Sequence, residues 1–187
     1  VILCGPIPTP AVAHLSTSMR ADLGIVISAS HNPFQDNGIK IFGRDGFKLA
    51  DDIEARIEGI VRGRIPLPPR KTGPGIGQAT KVEDARGRYV AFAKNTFPRN
   101  ISLEGLRLVV DAAHGAAYRV APAVFTELGA TVVSIGVHPD GVNINEACGS
   151  THPESLQAAV LAHGADVGLA FDGDADRLLA VDAAGEL

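Results

Sequence analysis

Leu106-Arg107-Leu108-Val109-Val110-Asp111 is a short apolar run ending on a carboxylate. Two later runs repeat its character, Thr131-Val132-Val133-Ser134-Ile135 and Val167-Gly168-Leu169-Ala170-Phe171. Short apolar segments of this kind predict strands at 106–111, 131–135 and 167–171. The intervening stretches, roughly 117–128 and 153–163, predict helices. Gly129 and Gly164 stand where a helix end favours a left-handed residue. Thr151-His152-Pro153-Glu154 has the spacing of a capping box ahead of the second helix. Strands alternating with helices predict an α/β fold, a parallel sheet with helices on its faces. Ligands of such sheets gather beyond the C-terminal ends of the strands, so the loops at those ends are where chemistry is expected.

The third strand runs directly into Asp172-Gly173-Asp174-Ala175-Asp176-Arg177. Three carboxylates at alternate positions repel one another unless a cation sits among them. Oxygen-only ligands favour a hard ion, Mg²⁺ or Ca²⁺. An EF-hand is excluded, because its sixth and twelfth positions require Gly and Glu where this chain has Arg177 and Ala183. A solvated acidic turn is the plain alternative. Arg177, directly after the aspartates, suggests an anion shared between cation and guanidinium, a phosphoryl group above all.

Nearer the N-terminus, Thr9-Pro10 reads as N-cap and first residue of a helix carrying Val12, Leu15 and Met19 on one face. Leu23 to Ile27 predicts a buried strand, and Ile39–Phe42 with Phe47–Leu49 a hairpin about Asp45-Gly46. Residues 51–62 form an amphipathic pattern through Ile53, Ile57, Ile60 and Val61. Residues 63–80, with four prolines and four glycines, predict a connector, and 82–97 another helix. Between strand and hairpin lies a second polar loop, Ser28-Ala29-Ser30-His31-Asn32-Pro33-Phe34-Gln35-Asp36-Asn37-Gly38. A serine at the end of a rigid strand is held in place for nucleophilic work, with His31 beside it to move a proton. The same residues are ordinary in turns. No serine has the flanking glycines of a hydrolase elbow. Lys40, just beyond the loop, adds a cation to the kit or is a surface lysine.

The 187 residues suffice for one large or two modest domains. With 45% hydrophobic and 20% charged residues, a disordered tail or fibrous repeat is excluded. Two cysteines, Cys4 and Cys148, make neither a disulfide framework nor a zinc ribbon. The net charge of −4 hides an asymmetry: residues 1–100 hold 14 Lys/Arg against 9 Asp/Glu, and residues 101–187 hold 3 against 12. Such a division suits an anionic substrate facing a metal-binding half, or two solvated surfaces of opposite sign. Only nine aromatic residues, not interleaved with the basic ones, argue against nucleic acid. No apolar run is long enough to span a bilayer. The chain starts without Met and reads as an internal piece of a longer enzyme.

Taken together, the serine loop and the Asp172–Arg177 loop resemble the α-D-phosphohexomutase family, whose phosphoserine and metal-binding motifs they match. Gly5-Pro6-Ile7-Pro8-Thr9-Pro10-Ala11-Val12-Ala13 and His138-Pro139-Asp140-Gly141-Val142-Asn143-Ile144-Asn145, continuing into Cys148 to Glu154, resemble its bacterial branch acting on glucosamine phosphate. The resemblance implies mixed and parallel sheets flanked by helices. It implies two of the family's four domains, domain I over 1–80 with the linker at 63–80 and domain II over 81–187 running into the start of domain III. It implies Ser30 as the phosphorylated serine, His31 beside it, and Lys40 as a candidate general acid or base. Asp172, Asp174 and Asp176 would bind Mg²⁺ together with an oxygen on Ser30, and Arg177 would meet the phosphate. The implied reaction interconverts glucosamine 6-phosphate and glucosamine 1-phosphate through a 1,6-bisphosphate, toward UDP-N-acetylglucosamine and peptidoglycan precursors in the cytoplasm. A small-molecule hexosamine phosphate is then the partner, without nucleic acid or membrane. This stretch alone, lacking the other domains, is expected to be inactive.

Three alternatives stand beside this reading. A phosphomannomutase or phosphoglucomutase of the same family differs only in its sugar. A haloacid-dehalogenase-type phosphatase would use Asp172 as nucleophile and Asp174 as acid, leaving the serine loop unexplained. A non-enzymatic cation-binding module would bind metal and carry no phosphate.

Overall fold

The computed structural model describes residues 1–187. Its centre is a four-stranded sheet of β5 (Arg107–Asp111), β6 (Thr131–Ile135), β7 (Val167–Phe171) and β8 (Leu178–Asp182) in the order β6-β5-β7-β8. The first three are parallel, as the strand–helix alternation requires, and β8 closes the edge antiparallel to β7. Strand side chains alternate between faces, and β5 is buried on both. Leu108 and Val110 pack on one side with Ala117 and Ala121, next to α4 (Val120–Glu127). Val109 points to the other side and meets Leu156 and Val160 of α5 (Glu154–His163). Gly164 ends α5 in the left-handed conformation, as its position predicts.

The N-terminal part is organised differently from its sequence pattern. β2 (Leu23–Ser28) pairs antiparallel with β3 (Gly38–Gly43), so the hairpin is closed by the polar loop itself. Past the Asp45-Gly46 turn, residues 47–49 return onto β3 without forming a strand of their own: Gly43 N–H donates to the Phe47 carbonyl (2.8 Å), Leu49 N–H donates to the Ile41 carbonyl (3.0 Å), and Phe42 bridges Lys48. β2 is buried on one face alone: α1 (Thr9–Ser18) covers Gly24 and Val26, while Leu23, Ile25 and Ile27 are exposed. The apolar stripe of α2 (Asp51–Val61) is likewise uncovered at Ile53 and Val61. Within 63–80 the chain makes a single 3-10 turn at Gly73–Gly75. It then enters β4 (Thr80–Lys81), which runs parallel to β1 (Ile2–Leu3).

α3 (Ala85–Asn95) joins the two parts. Its Ala85 packs with Ile7, Ala11 and Leu15 of the α1 region, and Phe92 stacks on His14 with ring centroids 3.8 Å apart. On its other side Lys94 pairs with Glu127 at the end of α4. The helix is therefore a strut that holds the serine loop and the sheet in one register. No helix is long and apolar enough to cross a membrane.

Candidate active site

β7 delivers its loop at the C-terminal edge of the sheet, where a parallel arrangement leaves an open crevice. Asp172 and Asp174 are buried, at 0% and 1% exposure, and Asp176 lies at the rim. One carboxylate oxygen from each lies within 4.8 Å of the others. The turn holds itself together through Asp172, whose Oδ1 accepts the backbone N–H groups of Asp176 (3.2 Å) and Arg177 (3.1 Å).

The serine loop meets this turn across the fold. Ser30 sits in the left-handed region with φ 54°, and its N–H donates to Ser28 Oγ at 2.9 Å. Its own Oγ is 3.1 Å from Asp174 Oδ1 and 3.3 Å from Asp172 Oδ2, donating toward the pair. Lys40, on β3 opposite Val26, brings Nζ to 2.6 Å from Asp174 and 3.0 Å from Asp176. Thus Ser30, Lys40 and the three aspartates, from opposite ends of the chain, converge as their residue types suggested. His31 and Arg177 do not join them. His31 is exposed beside Ser30. The Arg177 side chain is 58% exposed, its Nε 4.0 Å from Asp176, leaving the guanidinium open to an arriving anion.

Charge within the cluster is unevenly distributed. Burial pushes Asp172 above the ordinary carboxylate value, against the Arg177 N–H bond, and the neighbouring aspartates push the same way. Burial acts likewise on Asp174, but hydrogen bonds from Lys40, Thr9 and Ser30 and the Lys40 charge outweigh it and hold this carboxyl low. Partial burial disfavours the Lys40 ammonium, and its bonds to Asp174 and Asp176 reverse that, so its pKa lies above the usual lysine value. One ammonium against three carboxylates leaves the cluster short of positive charge. Its donor set, all hard oxygens with the Ser30 hydroxyl alongside, fits a divalent cation such as Mg²⁺.

Several contributors escaped the sequence reading. Thr9 is no N-cap: Pro8 holds that position without a side-chain bond, and Thr9 is the first helical residue. Its hydroxyl donates instead to Asp174 Oδ2 at 2.7 Å and its N–H to the Asp174 carbonyl at 2.9 Å. Thr151 also caps nothing, since it ends a 3-10 turn at Gly149–Thr151 and Pro153 precedes α5. That turn is fixed by Asp111, fully buried, whose Oδ2 accepts the Gly149 N–H at 2.7 Å while Oδ1 accepts that of Ala113 at 2.9 Å. The only sign of Asp111 in the sequence was a charge closing an apolar strand. Burial pushes the neighbouring Cys148 thiol up to about 12, helped by Asp111 and Glu146, so it is no nucleophile.

The aspartate turn is also braced from below. Ala116 N–H donates to the Gly173 carbonyl at 2.7 Å, and a Cβ on Gly115 would be driven into that same backbone. Gly115→Ala is accordingly expected to lower stability by about 1–3 kcal/mol, read as a fall in the thermal midpoint. An unchanged midpoint would mean that the two backbones are not in forced contact.

A serine hydroxyl, a lysine and three aspartates meet at the mouth of the mostly parallel α/β sheet, residue types of the kind phosphoryl transfer draws on. Known proteins carry the same arrangement of domains. Residues 1–65 match the model of phosphoglucomutase/phosphomannomutase alpha/beta/alpha domain I, and residues 87–185 match that of domain II. The chain belongs to the phosphoglucomutase/phosphomannomutase family. It is 62% identical over 187 residues to phosphoglucosamine mutase of Sorangium cellulosum (strain So ce56), covering all of this chain and 39% of that protein. It is 60% identical to phosphoglucosamine mutase of Paracoccus denitrificans (strain Pd 1222), covering all of this chain and 41% of that one. The chain thus spans about two fifths of the length of these curated relatives. Among solved structures, a phosphoglucomutase/phosphomannomutase family protein from Burkholderia thailandensis superposes with a TM-score of 0.75 and 32% identity, over 100% of this chain and 41% of that one. The fold likeness extends to Aspergillus fumigatus N-acetylphosphoglucosamine mutase in complex with GlcNAc-6P and magnesium. There the TM-score is 0.59 and the identity 19%, over 93% of this chain and 47% of that one.

Proposed function

We propose that this chain carries the phosphoserine and metal loops of a cytoplasmic phosphoglucosamine mutase, which interconverts glucosamine 6-phosphate and glucosamine 1-phosphate. The observation that carries this reading is the approach of Ser30 Oγ to within 3.1–3.3 Å of two buried aspartates. A hydroxyl needs no carboxylate cluster to sit in a turn, whereas a phosphoserine, with its added charge of about −1.5 to −2, needs a cation to sit beside one. Asp172, Asp174 and Asp176 would hold Mg²⁺, which when bound neutralises charge on the transferring phosphoryl group. In the forward direction the phosphorus–Oγ bond of Ser30 breaks. A new bond forms to the 1-hydroxyl of glucosamine 6-phosphate, whose proton passes by way of a base to the departing Ser30 Oγ. The bisphosphate turns over, Ser30 Oγ takes back the phosphoryl group from the 6-position, and the serine proton passes to the 6-oxygen left behind.

In this reading Lys40 sets positive charge against Asp174 and Asp176, Arg177 meets the incoming phosphate, and His31 flanks the nucleophile. Residues 1–80 and 81–187 act as the two units that bring the loops together, with 63–80 as their connector. The high identity to phosphoglucosamine mutases supports glucosamine over glucose or mannose as the sugar.

Phosphopeptide mapping of the longer enzyme, after brief exposure to a hexosamine bisphosphate and Mg²⁺, tests the reading. An acid-stable phosphate on Ser30 is expected. An alkali-labile phosphate on Asp172 would make the protein a phosphatase of the haloacid-dehalogenase type, and phosphate on neither would leave a cation-binding module.

Thr9 supplies a further check. Its hydroxyl fixes one oxygen of Asp174, and partners of this kind typically contribute 10- to 100-fold in metal affinity. Thr9→Val is expected to weaken Mg²⁺ binding about tenfold in calorimetric titration, and Thr9→Ser to restore it. Equal affinity in all three would remove Thr9 from the site.

A further inference from the structure

Seven residues other than glycine have positive φ, and six of them lie in the loops gathered at this site. They are Ser30 (54°), Ala113 (53°), His114 (49°), Asn145 (59°), Ala147 (50°) and Ala175 (57°); Arg20 is the exception. Each costs on the order of 1 kcal/mol and persists only where the surroundings enforce it. For Ser30 the enforcing contact is identifiable. Asn145, 6% exposed in the loop after β6, donates from Nδ2 to the carbonyl oxygens of both Ser30 and Asn32, each at 2.8 Å. The chemistry fixes the amide orientation, because only the NH₂ group satisfies two carbonyls. Its Oδ1 is buried with no partner. A buried unpaired acceptor is costly, so the two donated bonds are what keep the side chain there. Asn145 is itself anchored, its N–H donating to the Ala113 carbonyl at 2.9 Å.

We infer that Asn145 is a positioning residue for phosphoryl transfer: by clamping the carbonyls on either side of His31 it holds Ser30 left-handed, with Oγ aimed at Asp172 and Asp174. The inference rests on the phosphoserine reading above. It makes Asn145 a device acting through Ser30, touching neither sugar nor cation. A nucleophile displaced by about 1 Å costs about 100-fold in rate with little change in binding.

The test is Asn145→Gly in the longer enzyme, because glycine adopts φ near +59° without strain and removes only the amide. With folding checked by circular dichroism, kcat is expected to fall about 100-fold while KM stays within about threefold. Intact mass after exposure to the sugar bisphosphate separates the two ideas. Wild-type enzyme without phosphate on Ser30 overturns the functional reading. Phosphorylated wild type beside a folded variant of undiminished kcat overturns the Asn145 inference alone, as does a variant that raises KM and spares kcat. Asn145→Ser, which keeps one short donor, is measured in parallel. If neither variant folds, Asn145 serves the fold, and the positioning role is overturned.

Discussion

Ser30→Ala is expected to lower mutase turnover of the longer enzyme by at least about 10⁴-fold. The hydroxyl lies between two buried aspartates of the cluster, at 3.1 Å from Asp174 and 3.3 Å from Asp172, whereas the Thr9 hydroxyl, in a residue 6% exposed, is committed to Asp174 at 2.7 Å. Covalent catalysis has no substitute once the atom that carries the group is gone. Cys148 offers no replacement, being buried with its thiol pushed up to about 12. Stability should change little, since alanine is no more strained than serine at φ 54° and the Oγ contacts are partly solvated. The measurement is a coupled assay for sugar 1-phosphate, with thermal unfolding alongside. Retention of more than about one hundredth of the activity would show that phosphate travels by another route.

Asp174→Asn carries the second large effect, and it falls on the metal and the fold together. Asp174 is 1% exposed and accepts from Thr9, Ser30 and Lys40. An amide of the same shape keeps one acceptor oxygen, either for Thr9 and Lys40 on the Oδ2 side or for Ser30 on the Oδ1 side, and sets an NH₂ group against the other; with the charge gone, Lys40 is ion-paired with Asp176 alone. Leaving buried donors unpaired costs about 1–3 kcal/mol, so the thermal midpoint should drop. Loss of a ligand should exceed the 10- to 100-fold cost of losing its supporting partner, so Mg²⁺ affinity is expected to fall by more than about 100-fold. Asp176→Asn is the contrast. Its side chain is 36% exposed, and its pairing with Lys40 is worth less than about 1 kcal/mol after solvent screening. Weakened metal binding with an unmoved midpoint is therefore expected there. Calorimetric titration and thermal scans of both variants decide the matter. Unchanged affinity in Asp174→Asn would remove the cation from the cluster and the proposed mechanism with it.

The sheet and its loop were legible because their signals are local. Strands 131–135 and 167–171 fall where the apolar runs place them, and β5 starts one residue later than its run, at Arg107. The aspartates reach one crevice because a tight turn brings alternate residues together. The N-terminal part was harder to read. The chain does reverse at Asp45-Gly46 and residues 47–49 bond back to β3, yet the six-residue pairing of β3 is with β2, across the longer polar loop. Turn chemistry says where a chain reverses and nothing about which strand it returns to. The Thr9 hydroxyl illustrates the same limit. A cap bond and a tertiary bond use the same oxygen, and a buried carboxylate nearby offered the stronger partner.

By itself, then, the sequence determined the alternating α/β frame, the two polar loops at strand ends, and the residue types that phosphoryl transfer needs. All of these depend on spacings of a few residues, where backbone geometry leaves few choices. Tertiary structure alone decided that Ser30 faces Asp172 across 142 positions, that Lys40 pairs with Asp174 across 134, and that Asn145 clamps the Ser30 carbonyl across 115. Contacts at such separation depend on how the serine loop's hairpin, packed on α1, is docked through α3 and α4 against the sheet. Periodicity along the chain carries no record of that docking, because it is set by the packing of faces whose partners lie elsewhere in the molecule.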